Sequence, residues 1–560
     1  MVTAKLSLDE EFYDAKNAGG ASTDASPSPR ASTPGTAPRG DDTPPHQAEN
    51  SPTCADARPA PGSDAGSPAP VNPLRDAPVG KLLVKLSLPA VIAMLANAIY
   101  NIVDRAFIGN AQYLGEGGAA AAMAALQYCF PPMMITFGIA LMFGIGGSVL
   151  YSIALGKRDH ESAKRIMHTA LGLTLAVSAV LFILTVGFTE WVMKPFLPSP
   201  GKGASAQDLA SHRAVTNMAV TYFRITSCAV IFQAINVFGN NFIRANGHPI
   251  TSMLAIMLAA LLNVLLDFIF IFVLKLGVTG AAVATVIAQG CSTAWILYYF
   301  FGKKNGKFFK TARFRLEIKK IRIEPKLSRR IIATGFPMFV FQAASSILTI
   351  VLTFTVYRYV PTEGLDGAGV AAARDAAVAS IAVINSILTL LLMPLTGINQ
   401  GMNPILGYNY GAQNYGRVKK TLALGTVAAS VFALLVWGAT RLFPDEVIGF
   451  FTPYPELVDK IKPVLNAWLL ATFLLGITVV GGNYFQGTGK AGRAMLLSLL
   501  RQVLIVVPLV LVLPLSLGYD GIFYAQPISD AAVTAVTVIL LEWEFLRNPK
   551  YRGKKIVNSE

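Results

Sequence analysis

The chain has 560 residues, of which 53% are hydrophobic and only 14% charged, and its mean hydropathy is +0.50. This composition excludes a soluble globular protein and indicates a membrane protein with many spans. The apolar residues come in runs of about 20 or more, which excludes the short alternating strands of an outer-membrane barrel and predicts an all-α membrane protein.

The net charge of +15 is divided unevenly along the chain. Residues 1–80 carry six Lys/Arg and eleven Asp/Glu, which leaves 41 basic and 21 acidic residues for the remainder. Those basic residues lie in short loops between apolar runs. We therefore attribute the high pI to loop asymmetry across a bilayer and expect no nucleic-acid partner.

The first 79 residues are rich in Ser, Pro, Ala, Gly and Asp and nearly lack large aliphatic side chains after Tyr13. Such a segment buries too little apolar surface to offset its ordering entropy. We expect a disordered cytoplasmic tail over 1–79.

Twelve hydrophobic segments follow the tail. They cover 82–109, 118–154, 164–193, 215–243, 250–274, 279–302, 329–359, 371–409, 418–443, 460–487, 494–516 and 521–546. Two of them are long for one span, but Pro131–Pro132 and Pro394 with Pro404 are expected to kink them rather than split them.

Loop charges predict the orientation. Clusters of Lys and Arg follow the second, sixth, eighth, tenth and twelfth segments, whereas the loops on the other side are mixed or acidic. Both termini are therefore expected in the cytoplasm of a plasma-membrane protein. The predicted organisation is a six-helix lobe over 80–302, a basic linker over 303–328, a second six-helix lobe over 329–546 and a basic tail over 547–560.

The two halves resemble each other. The turn at 156–160 with its basic pair recurs at 411–415, the stretch 241–247 recurs at 483–489, and 277–280 recurs at 518–521. Pro89 and Pro337 open the first helix of each half and are expected to kink it. Because each half has an even number of spans, we expect two bundles related by a pseudo-twofold axis along the membrane normal, with substrate between them.

Asp104 lies within the first apolar segment. A carboxylate at membrane depth is costly, so it is seldom kept without a task. Arg105 follows directly, which leaves open an interfacial position in which its side chain reaches water.

Asn263 and Asp267 are four residues apart, which places them on one face of the fifth segment. They form either a coupling site with Asp104 or polar contacts between helices. The aligned positions of the second half are apolar, near Leu352, Ile505 and Leu509. A proton could neutralise the two acids, or Na⁺ could bind the oxygens of Asp104, Asn263 and Asp267 with Thr285 as a further ligand.

Several stretches resemble the MATE (multidrug and toxic compound extrusion) family. They are YNIVDRAFIG at 100–109, NVLLD at 263–267, GVTGAAVAT at 277–285 and PILGYNYG at 404–411. The resemblance covers about 82–545 and implies a secondary active exporter of organic, usually cationic, compounds that exchanges them for H⁺ or Na⁺ and uses no cofactor. It is closest to the bacterial branch whose intramembrane acids lie in the first half only.

Further polar and large side chains are candidates for lining a substrate cavity in the first half. They are Tyr100, Met134, Phe137, Met142, Gln233, Asn236 and Asn240. Met and Phe at helical spacing are more often ordinary packing residues, so this set is the weaker part of the hypothesis. We expect a monomer, in a lipid bilayer, whose substrates are small organic cations.

Three other interpretations remain open from the residues. A lipid-linked precursor flippase of the same superfamily would need cationic side chains in its cavity to hold a pyrophosphate. An intramembrane enzyme would need a catalytic motif, and the chain has no HExxH, GxSxG or DDxxD-type pattern. A channel or receptor fits a duplicated fold with midplane acids less well than alternating access does.

Overall fold

The computed structural model describes residues 73–109, 118–197, 206–302, 314, 316–361, 367–449, 455–548 and 551. All regular elements in these ranges are helical. The helices of the first half are α1 (Val79–Gly109), α2 (Gly118–Gly156), α3 (His160–Gly187), α4 (Ala206–Ser227), α5 (Val230–Ala245), α6 (Pro249–Asp267) and α7 (Gly277–Phe301). Those of the second half are α8 (Pro325–Tyr359), α9 (Gly367–Gly411), α10 (Tyr415–Leu442), α11 (Pro455–Trp468), α12 (Leu475–Gly487), α13 (Ala491–Leu499) and α14 (Val506–Arg547).

Within the described ranges, nine helices are long and apolar enough to cross a membrane, or ten when the bent pair α4–α5 counts as one span. The helix α9, with 45 residues, is also long enough to cross. The last candidate, Ala491–Arg547, has 57 residues and folds back on itself, so it supplies two spans. The fold is therefore the predicted one, with twelve transmembrane helices in two six-helix bundles.

The reversal in the last candidate occurs at Gly518, whose φ of 63° and ψ of −148° are not helical. The Arg501 Nε atom lies 3.1 Å from Oδ1 of Asp530. In a continuous helix these two residues would be separated by about 43 Å. The turn at Gly518 thus converts one apolar stretch into an antiparallel hairpin.

Backbone conformation confirms the duplication. Seven residues in the described ranges have φ in the left-handed region, and six of them form pairs at matching positions of the two halves. The pairs are Arg158 with Gln413, Gly247 with Gly489, and Gly277 with Gly518. Asp159 and Asn414 each cap the helix that follows, by accepting a hydrogen bond from the backbone N–H three residues on. Turns with the same backbone geometry at the same places indicate one ancestral six-helix unit.

The fourth and tenth spans are not continuous helices. The fourth bends by 50° between Ser227 and Val230, and the tenth is interrupted between Trp468 and Leu475 by a turn that includes the 3₁₀ segment Thr472–Leu474. The segment 164–193 also ends early, since α3 stops at Gly187 and a separate short helix covers Thr189–Met193. Hydropathy alone does not register such breaks because the residues around them stay apolar.

The hydrophobic core divides along the membrane normal. At the end that carries the basic turns, one cluster joins both halves and includes Leu86, Leu150, Leu395 and Leu406. At the opposite end, one cluster belongs to the first half and another to the second half. This arrangement is that of two bundles that meet at the basic end and diverge away from it.

Glycines permit the close contact at the basic end. A Cβ atom on Gly335 of α8 would collide with the carbonyl group of Met142 on α2. Gly401 of α9 lies in the same way against Ser87 of α1, whose hydroxyl donates a 3.3 Å hydrogen bond to the Ile398 carbonyl oxygen. Pro89 and Pro337, the predicted kink residues, lie inside α1 and α8, where each removes one helical N–H donor.

The boundaries of the predicted tails and linker shift in the structure. Residues 1–72 lie outside the described ranges, but Pro73–Asp76 forms a helical turn with Leu74 buried in the shared core. Tyr551, in the predicted C-terminal tail, is also buried there. In the linker, 316–324 lies on α3, and α8 begins at Pro325 rather than at 329.

Candidate functional site

The two acids of the first half come together near the diverging end. Asp104 is on α1 and Asp267 is the last residue of α6, directly before the π-helical turn Phe268–Val273. The two helices are in contact, and the two carboxyl groups are close enough to interact electrostatically. Asp104 is partly buried, whereas Asp267 is fully buried. A π-helical turn next to a buried acid is typical of functional sites.

Asn263 and Thr285 join this group. The Asn263 side-chain amide donates a 3.4 Å hydrogen bond to the Thr285 hydroxyl on α7. That hydroxyl donates in turn to the Ala281 carbonyl oxygen at 3.1 Å. The structure therefore brings the four residues proposed for cation coupling into one cluster, and three helices supply them.

The cluster has unfilled acceptor capacity. Both carboxylate oxygens of Asp267 and the amide oxygen of Asn263 are buried without a hydrogen-bond partner among the described residues. A buried acceptor without a partner costs about 1–3 kcal/mol, and more if it is charged. A proton on Asp267, or a hard monovalent cation held by these oxygens, would remove that cost. In the described part of the chain, His, Cys, Asp and Glu form no group of three that could hold a metal ion.

Two tyrosines adjoin the acids. Tyr100 on α1, a predicted substrate residue, interacts electrostatically with both Asp104 and Asp267. Tyr222 on α4 also interacts with both acids and is buried. Tyr222 was not among the predicted site residues, because its segment resembles an ordinary apolar span. Only the bend after Ser227 and the helix packing place its ring beside the acids. In the sequence, the only indication was that Tyr222 places a polar hydroxyl group within an apolar segment.

Asn236 and Asn240 lie inside the first bundle, where neighbouring side chains bind them. The Asn236 amide donates to the Gln289 side chain and backbone, both at 3.1 Å. Asn240 accepts a 2.9 Å bond from the Ser252 hydroxyl, which itself accepts from the buried Arg244 at 2.8 Å. These two residues are therefore separate from the acid cluster.

The other predicted substrate residues divide between a bundle interface and the interior. Met134 on α2 accepts a 3.5 Å bond from the Gln342 side chain on α8, and Met142 lies where α2 crosses Gly335. Phe137 packs with Ala140, Ala234 and Val237 inside the first bundle. Gln233, near the start of α5, is half-buried.

The second bundle contains a buried ion pair. Asp530 lies well inside α14 and is buried, and Arg501 pairs with it. Gln526 donates a further 3.1 Å bond to the same carboxylate oxygen. The expectation that intramembrane acids lie only in the first half is thus corrected: Asp530 is a third intramembrane acid, after Asp104 and Asp267, and the guanidinium of Arg501 pairs with it.

A protein-family model matches each half of the chain separately. The family model MatE matches the chain twice, over 89–269 and 337–512, so that each match begins at one of the two helix-opening prolines. The multidrug export protein MepA of Staphylococcus aureus is 23% identical over 466 residues, covering 83% of this chain and 94% of MepA.

Solved structures share the architecture. The structure of the MATE multidrug transporter DinF-BH, solved in complex with a ligand, is 30% identical, covers 87% of this chain and 100% of its own, and has a TM-score of 0.72. An outward-facing multidrug resistance MATE transporter of the MOP superfamily, at 22% identity, covers 86% of this chain and 98% of its own with a TM-score of 0.73. The two-part family match over more than half of the chain, together with this architecture, shows that the protein is a multi-pass membrane transporter of the MATE family.

Proposed function

We propose that this protein exports small organic compounds, mostly cations, in exchange for an inward-moving H⁺ or Na⁺. The observation that carries the proposal is the burial of the Asp267 carboxyl group beside Asp104. Neither of its oxygens has a hydrogen-bond partner among the described residues. The multidrug export named for MepA and the multidrug transport named for DinF-BH support small organic substrates. Membership of a transporter family removes the intramembrane-enzyme alternative.

The chemistry of coupling follows from the missing partners. When a proton or Na⁺ occupies the cluster of Asp104, Asn263, Asp267 and Thr285, its charge compensates the carboxylates. When the ion leaves, the cluster regains negative charge and attracts a cationic substrate nearby. Ion and substrate thus compete for the same carboxylates, which is the requirement for exchange. Tyr100, at the edge of this cluster, is the strongest candidate for contact with both.

The split core supports the orientation of the protein in the membrane. The bundles diverge away from the basic turns, and the excess of Lys and Arg in those turns favours a cytoplasmic location. We therefore assign an outward-open cleft, cytoplasmic termini and a place in the plasma membrane. Met134 and Met142, at the interface of α2 and α8, are proposed to line the cleft when the bundles move. The chain is proposed to act as a monomer.

A pyrophosphate-lipid flippase fits the described residues less well. Such a protein needs several cationic side chains facing one cavity. The two buried arginines belong to different bundles: Arg244 lies in the first, and Arg501, in the second, is neutralised by Asp530. They do not form a clamp for a pyrophosphate.

The test uses the full-length protein in vesicles loaded with a fluorescent organic cation, first under a proton gradient and then under a sodium gradient. Wild type is compared with Asp267→Asn, Asp104→Asn and the exposed-acid control Asp520→Asn. We expect gradient-driven export by wild type and the control, and loss in both site variants with normal insertion. The gradient that drives export identifies the ion.

Two results would contradict the proposal in different ways. If neither gradient moves any cation, the exporter assignment fails and lipid translocation becomes the next experiment. If transport survives both site substitutions, the exporter assignment stands and the coupling site is elsewhere.

A further inference from the structure

One face of α3 serves as a docking surface for the segment between the two halves. Arg165, His168, Thr169 and Gly172 have the spacing i, i+3, i+4 and i+7, which places them on one side of a helix. Residues 316–324, which we call the docked linker, contact all four. The docked linker leads directly into α8 at Pro325. Its position therefore ties the start of the second bundle to the first bundle at the basic end.

The contacts along this face are specific. The Thr169 hydroxyl donates a 3.1 Å hydrogen bond to the Arg322 carbonyl oxygen. Gly172 leaves room for the linker, since a Cβ atom there would lie 3.2 Å from the Ile321 side chain and 3.3 Å from that of Ile323. Leu316 is 4% exposed and belongs to the shared core. The docked linker is thus held by backbone bonds and apolar contacts along its length.

His168 occupies the centre of the contact, is 5% exposed, and is bonded at both ring nitrogens. Its Nδ1 lies 2.8 Å from the Lys164 carbonyl oxygen, and its Nε2 lies 3.1 Å from the backbone nitrogen of Glu317. A carbonyl oxygen only accepts and a backbone N–H only donates. These partners therefore fix the ring as the neutral tautomer with its proton on Nδ1.

Protonation is incompatible with this arrangement. A second proton on Nε2 would point at the Glu317 N–H, so two donors would face each other and both would lose an acceptor. Neither ring hydrogen bond involves a carboxylate, and the nearby Glu317 side chain interacts with the ring only electrostatically. Protonation of His168 therefore removes the hydrogen bond from the Glu317 N–H and weakens docking of the linker.

The second half lacks this device. At the repeat offset that pairs Arg158 with Gln413, His168 corresponds to Ala423 and Gly172 to Val427 on α10. Ala423 is exposed and Val427 is 60% exposed, so nothing in the described residues covers this part of α10. The fold does not require the histidine, since the duplicated unit is built without it.

Charged residues occur on each of the elements that meet around His168. They are Glu161, Lys164 and Arg165 on α3, Lys157 and Arg158 in the turn before it, Glu317, Lys319, Lys320, Arg322 and Glu324 on the linker, and Lys326, Arg329 and Arg330 at the start of α8. The hydrogen bond from Lys320 keeps the pKa of Glu317 below its usual value. The Glu317 carboxylate therefore stays ionised as the pH falls below neutral.

We propose that His168 and the backbone N–H of Glu317 form a pH-operated clasp that holds the linker on the first bundle when the cytoplasm is neutral and releases it on acidification. Release removes one tie between the two bundles at their basic end. The clasp thereby makes opening at that end depend on cytoplasmic pH. This inference is independent of the coupling ion and of the acid cluster.

Hydrogen–deuterium exchange on the full-length protein in lipid nanodiscs tests the clasp directly. The Glu317 amide is the reporter, with rates corrected for intrinsic exchange between pH 7.5 and 5.5. We expect the amides of 316–322 to be protected from exchange at pH 7.5. On acidification their corrected exchange rates should rise by up to about tenfold per pH unit, as linkage to one proton requires. In His168→Gln, whose side-chain oxygen can accept from Glu317 without titrating, we expect protection at both pH values.

His160→Gln is the matched control, because His160 lies exposed at the start of the same helix. We expect it to keep the wild-type pH response. His168→Leu, which has no acceptor, should be unprotected at both pH values. The proposal is overturned if wild-type protection is equal at both pH values, or if His168→Gln loses protection on acidification as wild type does. Because exchange is measured without substrate or gradient, a negative transport assay does not affect this result.

Discussion

The guanidinium of Arg417 on α10 donates a 2.6 Å hydrogen bond to the carbonyl oxygen of Ala77, in the turn that precedes α1. The same guanidinium binds the Asn409 side-chain oxygen at 3.1 Å, and Asn409 donates to the Leu74 carbonyl oxygen. A side chain of the second bundle thus holds the segment that leads into the first helix of the first bundle. This contact must break if the basic end is to open.

Replacing Arg417 should favour the state that is open at the basic end. A hydrogen bond to a charged group contributes about 1.5–3 kcal/mol, so Arg417→Gln should raise the open population severalfold or more. Spin labels at the exposed residues Lys157 and Ala412, in a background without native cysteines, would report the distance between the bundles. Lys420→Gln, an exposed change on the same helix, should leave the distances unchanged. An unchanged distribution in Arg417→Gln would show that the contact does not hold the closed state.

The acid cluster should make stability depend on its ion. A ligand that binds only the folded protein stabilises it by about 2.7 kcal/mol at a hundred times its Kd. We expect the coupling ion to raise the thermal unfolding temperature of wild type and of Asp520→Asn, but not of Asp267→Asn. The unfolding temperature is measured at increasing Na⁺ concentration and fixed pH, and separately at decreasing pH without Na⁺. The two series distinguish Na⁺ from H⁺ as the bound ion. Equal ion-dependent shifts in Asp267→Asn would exclude this carboxylate as a ligand.

The crossing of α2 and α8 should tolerate no side chain at Gly335. Its added Cβ meets backbone atoms of Met142, which cannot move aside as a side chain can. We expect Gly335→Ala to lower the unfolding temperature and to separate the bundles at the basic end. Gly482→Ala is the control, because nothing lies within 4 Å of the position that its Cβ would take. It should be neutral or stabilise by up to about 1 kcal/mol through helix propensity. Similar destabilisation in both variants would argue against the contact.

The buried pair in the second bundle should show strong coupling. Removing one member of a buried ion pair leaves an uncompensated charge and costs about 3–5 kcal/mol. We expect Arg501→Leu or Asp530→Leu alone to be severely destabilised, and the double variant to lose much less than the sum. A double-mutant cycle on thermal unfolding measures this difference. Additive losses would indicate that the two side chains stabilise the hairpin independently.

The two equivalent helix caps should differ in their response to acid. Hydrogen bonds from Ser162 lower the pKa of Asp159, whereas its counterpart Asn414 does not titrate. A lowered pKa means that the cap of α3 stabilises at neutral pH and weakens as the pH falls through that value. We expect amide exchange in the first turn of α3, but not of α10, to accelerate in acid. Asp159→Asn should remove the difference, and Asp159→Ala should cost about 1 kcal/mol at neutral pH. If amide exchange in the first turns of both helices accelerated equally in acid, the Asp159 cap would not be the cause.

Much of the fold could be predicted from the sequence because it depends on local properties. Hydropathy determined the number of spans, and the recurring turns at 156–160 and 411–415 determined the duplication. The acids at Asp104 and Asp267 were recognisable because a carboxylate in an apolar run is costly wherever it lies. Helical spacing also placed Asn263 beside Asp267, whereas Asp104 and Thr285 lie on other helices.

Tertiary packing decided the rest, since contacts between helices depend on how distant surfaces fit and leave no periodic signal in the chain. It placed Tyr222 beside the acids, paired Arg501 with Asp530 and left the oxygens of Asp267 without partners in the described structure. It also laid the linker along α3, where two backbone groups fix the proton of His168. Apolar runs determined which segments enter the membrane, and side-chain packing determined which polar groups meet there.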